Sequence, residues 1–244
     1  MANFILIHGA MHGGWCWERV VPLLTRRGHQ VTAPDLPGMG ADGLSPAAVT
    51  LETWSRFTTD VLHAQRGKSI LVGHSFGGMV ISEAAESAPD RIETLVYLTA
   101  LLPRNGRSAF DLTRREEEPD GKPRIELHPS QDGATITAKP AEARAFLYGE
   151  TPDEWAERAI SRLVPQPLAP LKAPASLSDT NFGRVPRAYV ECLRDRILPL
   201  SLQRAMHAAS PCGTVLDIDT DHSPFYSAPE ATAIHLLQIA AQFD

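Results

Sequence analysis

Ser75 stands in the run Gly73-His74-Ser75-Phe76-Gly77, directly after the apolar stretch Ile70-Leu71-Val72 and directly before Gly78-Met79-Val80-Ile81-Ser82-Glu83-Ala84-Ala85. A serine spelled G-x-S-x-G between a β-branched strand and an Ala-rich helix has the pattern of a nucleophile elbow, a sharp strand-to-helix turn that lifts the hydroxyl clear of the sheet. The flanking positions must be small, because bulky neighbours would collide with the strained turn. The helix that follows would put Ser75 Oγ near a helix N-terminus, where negative charge is favoured. The five-residue pattern alone occurs in many unrelated proteins, so its setting between strand and helix carries the weight.

A serine hydroxyl is a weak nucleophile at neutral pH and needs a positioned base, which in turn needs a partner that holds its tautomer. The partners of an elbow serine follow in the chain order Ser, Asp or Glu, His. For the base, His222 in Asp221-His222-Ser223 follows the last strand-like run and precedes the terminal helix, which expects it on a loop at the strand ends. His207 and His235 fall inside helical patterns, and His128 falls in a loop of a hairpin-like stretch. For the acid, Asp195 in Leu193-Arg194-Asp195-Arg196 follows the strand-like Tyr189-Val190-Glu191-Cys192. Asp217, Asp219 and Asp221 crowd His222 in sequence, but a neighbour on the same strand or loop rarely reaches back to Nδ1. The chemistry also needs two donors where an oxyanion develops. The N–H of Phe76, next to the nucleophile, is one; the glycine-rich turn His8-Gly9-Ala10-Met11-His12-Gly13-Gly14 offers the other at Ala10.

Short apolar or β-branched runs must hold these groups. They recur at 4–7, 30–33, 69–72, 94–98, 188–192 and 215–218, with helical spacing over 17–27, 51–65, 76–88, 201–209 and 229–243. Strand and helix in alternation predict an α/β fold with a mainly parallel central sheet and helices on both faces. The alternation lapses from 103 to 182, where strands at 124–127 and 134–137, helices at 141–148 and 152–163, and the proline-rich return Val164 to Pro170 are expected. The expected division is therefore a core of 1–102 and 183–244 with an inserted cap, 103–182, over the carboxyl ends of the strands. His12, Trp15 and Trp17 are candidates to line or support the pocket, with core packing the alternative for the tryptophans.

At 244 residues the chain is long enough to bury a core without disulfides, and Cys16, Cys192 and Cys212 are odd in number and show no metal-ligand spacing. They read as reduced thiols of a cytoplasmic protein. The start Met1-Ala2-Asn3-Phe4-Ile5-Leu6-Ile7 has no basic n-region or cleavage site, so no signal peptide is expected, and no run approaches the ~20 apolar residues that cross a bilayer. A formal net charge of −6 argues against a nucleic-acid partner. The acidic run Glu116-Glu117-Glu118-Pro119-Asp120 reads as a solvated surface segment. No repeat or heptad pattern speaks to oligomeric state.

Taken together, these residues resemble the α/β-hydrolase branch that contains plant methylesterases, among them the methyl salicylate esterase, and the related hydroxynitrile lyases. The resemblance is carried by Phe4 to Trp17 with its H-G-x-x-H-G-x-W pattern, by Gly28 to Leu36, by Leu71 to Met79, by Asn181-Phe182-Gly183, and by the Asp195 and His222 loops. It implies an α/β-hydrolase fold, a Ser75, Asp195, His222 triad, oxyanion donors at Ala10 and Phe76, and no metal or organic cofactor. The site and the resemblance together imply a serine carboxylesterase for small to medium carboxylic esters with an apolar part: methyl esters by the family likeness, and bulkier ones such as pyrethroids because a capped apolar pocket has room for a bulky alcohol. The lyases look for a threonine hydroxyl and a lysine where this chain has Ala10 and Ser223, which places cyanohydrin cleavage behind ester hydrolysis. A serine nucleophile also departs from dehalogenases and epoxide hydrolases, which use aspartate. A non-catalytic small-molecule receptor on the same scaffold is the remaining alternative.

Overall fold

Continuous apolar runs can hide both of their faces only inside a sheet covered on both sides, and the central strands have that environment. A computed structural model describes residues 1–40, 42–114 and 124–243. In chain order the elements are β1 (Asn3–Ile7), α1 (Val21–Thr25), β2 (Gln30–Thr32), α2 (Leu51–Ala64), β3 (Ser69–Ser75), α3 (Gly77–Ser87) and β4 (Ile92–Ala100). Next come α4 (Ala109–Thr113), β5 (Leu127–Pro129), β6 (Thr135–Ala138), α5 (Pro140–Phe146), α6 (Asp153–Ile160), β7 (Gln166–Pro167) and α7 (Leu168–Lys172). The chain closes with β8 (Arg187–Cys192), α8 (Leu200–Ala209), β9 (Thr214–Ile218), α9 (Pro224–Ser227) and α10 (Pro229–Ala240).

The main sheet has the order β2-β1-β3-β4-β8-β9 and every pairing in it is parallel. Strand periodicity of two sorts its side chains between two cores. Ile5, Ile7, Leu71, Leu95 and Tyr97 pack with Trp54 of α2 and Met79 and Val80 of α3 on one face. Phe4, Leu6, Ile70, Val72, Val96 and Leu98 pack with Trp17, Leu24 and the α10 residues Leu236 and Ile239 on the other. Each fully buried side chain of this size contributes roughly 1.5–3 kcal/mol. α2 starts on a capping box in which Thr50 Oγ1 accepts from Thr53 N–H at 3.1 Å.

The strand order reverses between β1 and β3, and in open α/β sheets the carboxyl ends at such a switch point are where ligands bind. Between β4 and β8 the chain leaves the main sheet and builds a second one, β5-β6-β7, which is antiparallel.

Three local expectations are corrected. The helix expected over 17–27 is a 3₁₀ turn at Gly14–Trp17 followed by the short α1, because Pro22 has no N–H for an uninterrupted helix and is accommodated at the first turn of a new one. The hairpin is shifted toward the C-terminus: Gly133 at φ 67° and Asp132, whose Oδ1 accepts from Ser130 Oγ and Ala134 N–H, set the turn and so the register, and Glu126 N–H bonds Glu142 instead of a strand partner. His128 consequently lies in β5 and not in a loop. The proline-rich return contains β7, since Pro167 at the end of a strand edge withholds no needed donor. The acidic run at 116–120 lies outside the described residues. Cys16 and Cys192 are buried and Cys212 is partly buried, all as free thiols. Among the described residues no helix is long and apolar enough to cross a membrane.

Candidate active site

β3 ends at Ser75, which has φ 52°, a left-handed conformation that costs a non-glycine residue energy and is held there by the surrounding turn. Both neighbouring glycines are required by contact. A Cβ on Gly73 would meet Gly77 C and O at 2.7 Å, and one on Gly77 would meet the carbonyl oxygens of Ile7 and His8 at 2.8 and 2.9 Å. The turn can therefore be this tight only with hydrogen as the side chain at both places.

Ser75 Oγ–H donates to His222 Nε2 at 2.9 Å, and His222 Nδ1–H donates to Asp195 Oδ2 at 2.6 Å. Residues 147 and 27 positions apart are brought into one line by the loops after β3, β8 and β9. The carboxylate is fixed from both sides: Oδ1 accepts the N–H groups of Ile197 and Leu198 at 2.7 and 2.9 Å, and Oδ2 also accepts Thr99 Oγ1–H. Thr99 is buried at the end of β4 with φ 36°. The imidazole is steadied through its backbone, since His74 Nε2–H donates to the His222 carbonyl at 2.8 Å. Asp221 does not face His222 Nδ1; it ties the His222 loop to the 140–170 region, accepting Glu150 N–H and Thr151 N–H on Oδ2, and Ser223 N–H and Ser227 Oγ–H on Oδ1.

Ala10 and Phe76 line the same cavity as Ser75 and His222, and among the described residues neither backbone N–H has an acceptor. The turn that carries Ala10 is held by residues distant in sequence. His12 Nδ1–H donates to the Ala10 carbonyl at 2.7 Å while His12 Nε2 accepts Tyr148 O–H at 2.6 Å. Met11 N–H donates to Gln166 Oε1 at 3.0 Å. His8, after β1, accepts Leu36 N–H on Nε2 at 3.0 Å. Burial holds these rings neutral: desolvation lowers His8 to about 4 and His12 to about 3, and pushes His74 well down, with His222 nearby adding to the effect on His74. The cavity, about 140 Å³, is walled mainly by apolar side chains, including Leu101, Ile136, Leu147, Leu171, Ile197 and Leu198.

Ser75, Asp195, His222, Ala10 and Phe76 are thus brought together at the carboxyl ends of the strands. His12 lines the cavity, whereas Trp15 stacks on it with centroids 5.3 Å apart and Trp17 is fully buried in the core. His207 pairs with Glu191 at 2.9 Å, and His235 lies on the surface of α10; neither lines the cavity at Ser75. Thr99, Gln166 and Tyr148 escaped the sequence reading, because none sits in a motif and their partners lie 96, 155 and 136 positions away. His74 was visible only as the variable residue of the elbow.

The profile of the alpha/beta hydrolase family matches residues 4–234. The chain belongs to this family. Among relatives of this alpha/beta hydrolase, a pyrethroid hydrolase of Sphingobium wenxiniae is 34% identical over 240 residues, covering 96% of this chain and 85% of that protein. A longer chloroplastic protein of Arabidopsis thaliana, named as methylesterase 11, is 34% identical over 248 residues and covers 98% of this chain, which spans 64% of its length. The crystal structure of a pyrethroid hydrolase from Sphingobium faniae superposes with a TM-score of 0.88 at 34% identity, covering 98% of this hydrolase and 97% of that chain.

Proposed function

We propose that the protein is a serine carboxylesterase acting on small to medium esters with an apolar part. The observation that carries this reading is the unbroken line from Ser75 Oγ through His222 to Asp195, beside a cavity also lined by Ala10 and Phe76, whose backbone N–H groups have no acceptor among the described residues. Ser75 Oγ attacks the ester carbonyl carbon as its proton passes to His222 Nε2, and the carbonyl π pair moves onto oxygen. Ala10 and Phe76 N–H groups bind that oxyanion, each such donor contributing ~2.7–4 kcal/mol. Collapse of the tetrahedral adduct breaks the C–O bond to the alcohol, which leaves with the proton from His222. Water, giving its proton to His222, then attacks the acyl-enzyme, and a second collapse releases the acid and restores Ser75 O–H. Asp195 keeps the His222 proton on Nδ1 so that Nε2 is free as a base, and stabilises the cation that forms.

The apolar walls of the cavity support an apolar substrate, and the names of the relatives support methyl esters and pyrethroid-like esters as the classes to try first. The described residues of the stretch 103–182 act as the cap over the site, a role supported by Ile136, Leu147 and Leu171 lining the cavity. Its partner is a small-molecule ester; a charge of −6 speaks against nucleic acid, and three free thiols suit a reducing cytoplasm. Hydroxynitrile cleavage lacks its cation here: the residue after His222 is Ser223, fully buried, and among the described residues its Oγ has no hydrogen-bond partner. Stopped-flow release of nitrophenol from p-nitrophenyl butyrate tests the proposal. A burst near one equivalent followed by turnover is expected, with both lost in Ser75→Ala at unchanged thermal stability; equal turnover by that variant would sink the reading.

A further inference from the structure

Met11, next to the oxyanion donor proposed at Ala10, belongs to two cavities. It lines the cavity beside Ser75 and also a second one of about 270 Å³, whose further walls include Ala138, Pro140, Ile160, Leu163 and Val164. Thr137 supplies the single hydroxyl of that second wall among the described residues, and no charged side chain lines it. Thr137, Pro140 and Pro165 are exposed, so the second cavity opens to solvent on its far side.

The backbone of Met11 is pinned. Its N–H donates to Gln166 Oε1 and its carbonyl accepts Val164 N–H, each at 3.0 Å, with φ at 63° in the left-handed region. What can move is the side chain, an unbranched thioether with three rotatable bonds. Met11 is 6% exposed and is the residue common to the walls of both cavities among the described residues. Gln166, beside it, is fully buried and held at both ends of its amide, Oε1 accepting Met11 N–H and Nε2 donating to the Pro167 carbonyl at 2.9 Å.

We infer that Met11 is a movable partition, and that the second cavity is a subsite for a linear apolar chain of the ester, threaded past Met11 while its carbonyl sits at Ser75; this rests on the esterase activity proposed for Ser75. Size points the same way. A cavity of about 140 Å³ is small against the ~300–1,000 Å³ of pockets that enclose a medium-sized ligand, and joining the second cavity of about 270 Å³ brings the site into that range. A chain one methylene wide suits a passage closed by one side chain, and a wall with no charged side chain disfavours carboxylates or amines there.

The test compares kcat/KM for methyl butyrate, methyl decanoate and decyl acetate by pH-stat titration, in wild type, Thr137→Trp and Met11→Ala. Thr137 lies on an exposed strand position outside the cavity at Ser75, so an indole there fills the second cavity from its open side. For one of the two long esters, Thr137→Trp should lower kcat/KM relative to methyl butyrate at least fivefold, and Met11→Ala should raise the same ratio. Response of methyl decanoate assigns the subsite to the acyl chain, and response of decyl acetate assigns it to the alcohol. If methyl butyrate turns over while both long-to-short ratios in Thr137→Trp stay within fivefold of wild type, or wild type hydrolyses neither long ester, the partition is refuted and the esterase stands. No turnover of any of the three by wild type removes the esterase reading and the subsite together. Should Met11→Ala fail to fold, Thr137→Trp alone decides.

Discussion

Asp195→Asn isolates what the carboxylate does for His222, because the structure dictates how the amide must sit. The oxygen at the Oδ1 place faces the N–H groups of Ile197 and Leu198 at 2.7 and 2.9 Å, so an asparagine there must turn its carbonyl to them. Its NH₂ then occupies the Oδ2 place, 2.6 Å from His222 Nδ1 and beside Thr99 Oγ. Thr99 can rotate its hydroxyl and accept, but Nδ1 can accept only if the ring proton moves to Nε2. Nε2–H then points at Ser75 Oγ, and the lone pair that should take the serine proton is gone. The wrong tautomer in Ser-His-Asp chemistry costs roughly 10⁴-fold in kcat, or about 5.5 kcal/mol of transition-state stabilisation. Fold stability should change by less than about 2 kcal/mol, since every hydrogen-bonding group at the site keeps a partner. Steady-state kinetics on p-nitrophenyl butyrate with urea unfolding of both proteins reads the two effects separately. A variant that keeps more than a tenth of wild-type kcat would mean that Asp195 does not set the His222 tautomer.

Tyr148→Phe removes the donor to His12 Nε2 and should lower kcat several-fold with little change in KM, at a cost of about 1–3 kcal/mol in urea unfolding for the unpaired buried nitrogen; unchanged kcat would mean that His12 does not position the proposed oxyanion donor at Ala10. Gly77→Ala drives a methyl to 2.8 Å from the Ile7 carbonyl, and an overpacking cost of about 1–3 kcal/mol is expected in the same assay. His8 and His12 are held at about 4 and about 3 when folded, below their ordinary 6.5, so only the unfolded chain takes up these protons as pH falls. Stability is therefore complete above pH 6.5 and falls as pH drops toward 4, by on the order of 1.4 kcal/mol per pH unit for each ring. Ring proton signals of His8, His12 and His74 that titrate between pH 8 and 5 in the folded protein would contradict this.

The order of strands and helices in the core, the elbow serine and the positions of Asp195 and His222 on loops after strands were legible in the sequence because each depends on local rules. Alternating apolar runs, Gly73 and Gly77 around Ser75, and single loops after strand-like runs at Asp195 and His222 need no knowledge of distant contacts. Local rules were weakest where they compete: Pro22 splits a helix that apolar spacing alone extends, and Asp132 with Gly133 moves a hairpin whose strands are short and half exposed. What tertiary structure decided was everything that holds the site still. Thr99 on Asp195, His74 on the His222 carbonyl, Tyr148 on His12 and Gln166 on Met11 are single contacts between elements far apart in sequence. Such contacts leave no periodicity or spacing to read, because a hydrogen bond needs only one donor and one acceptor within about 3 Å. Only the folded parallel sheet and the chain that lies over it bring those atoms that near.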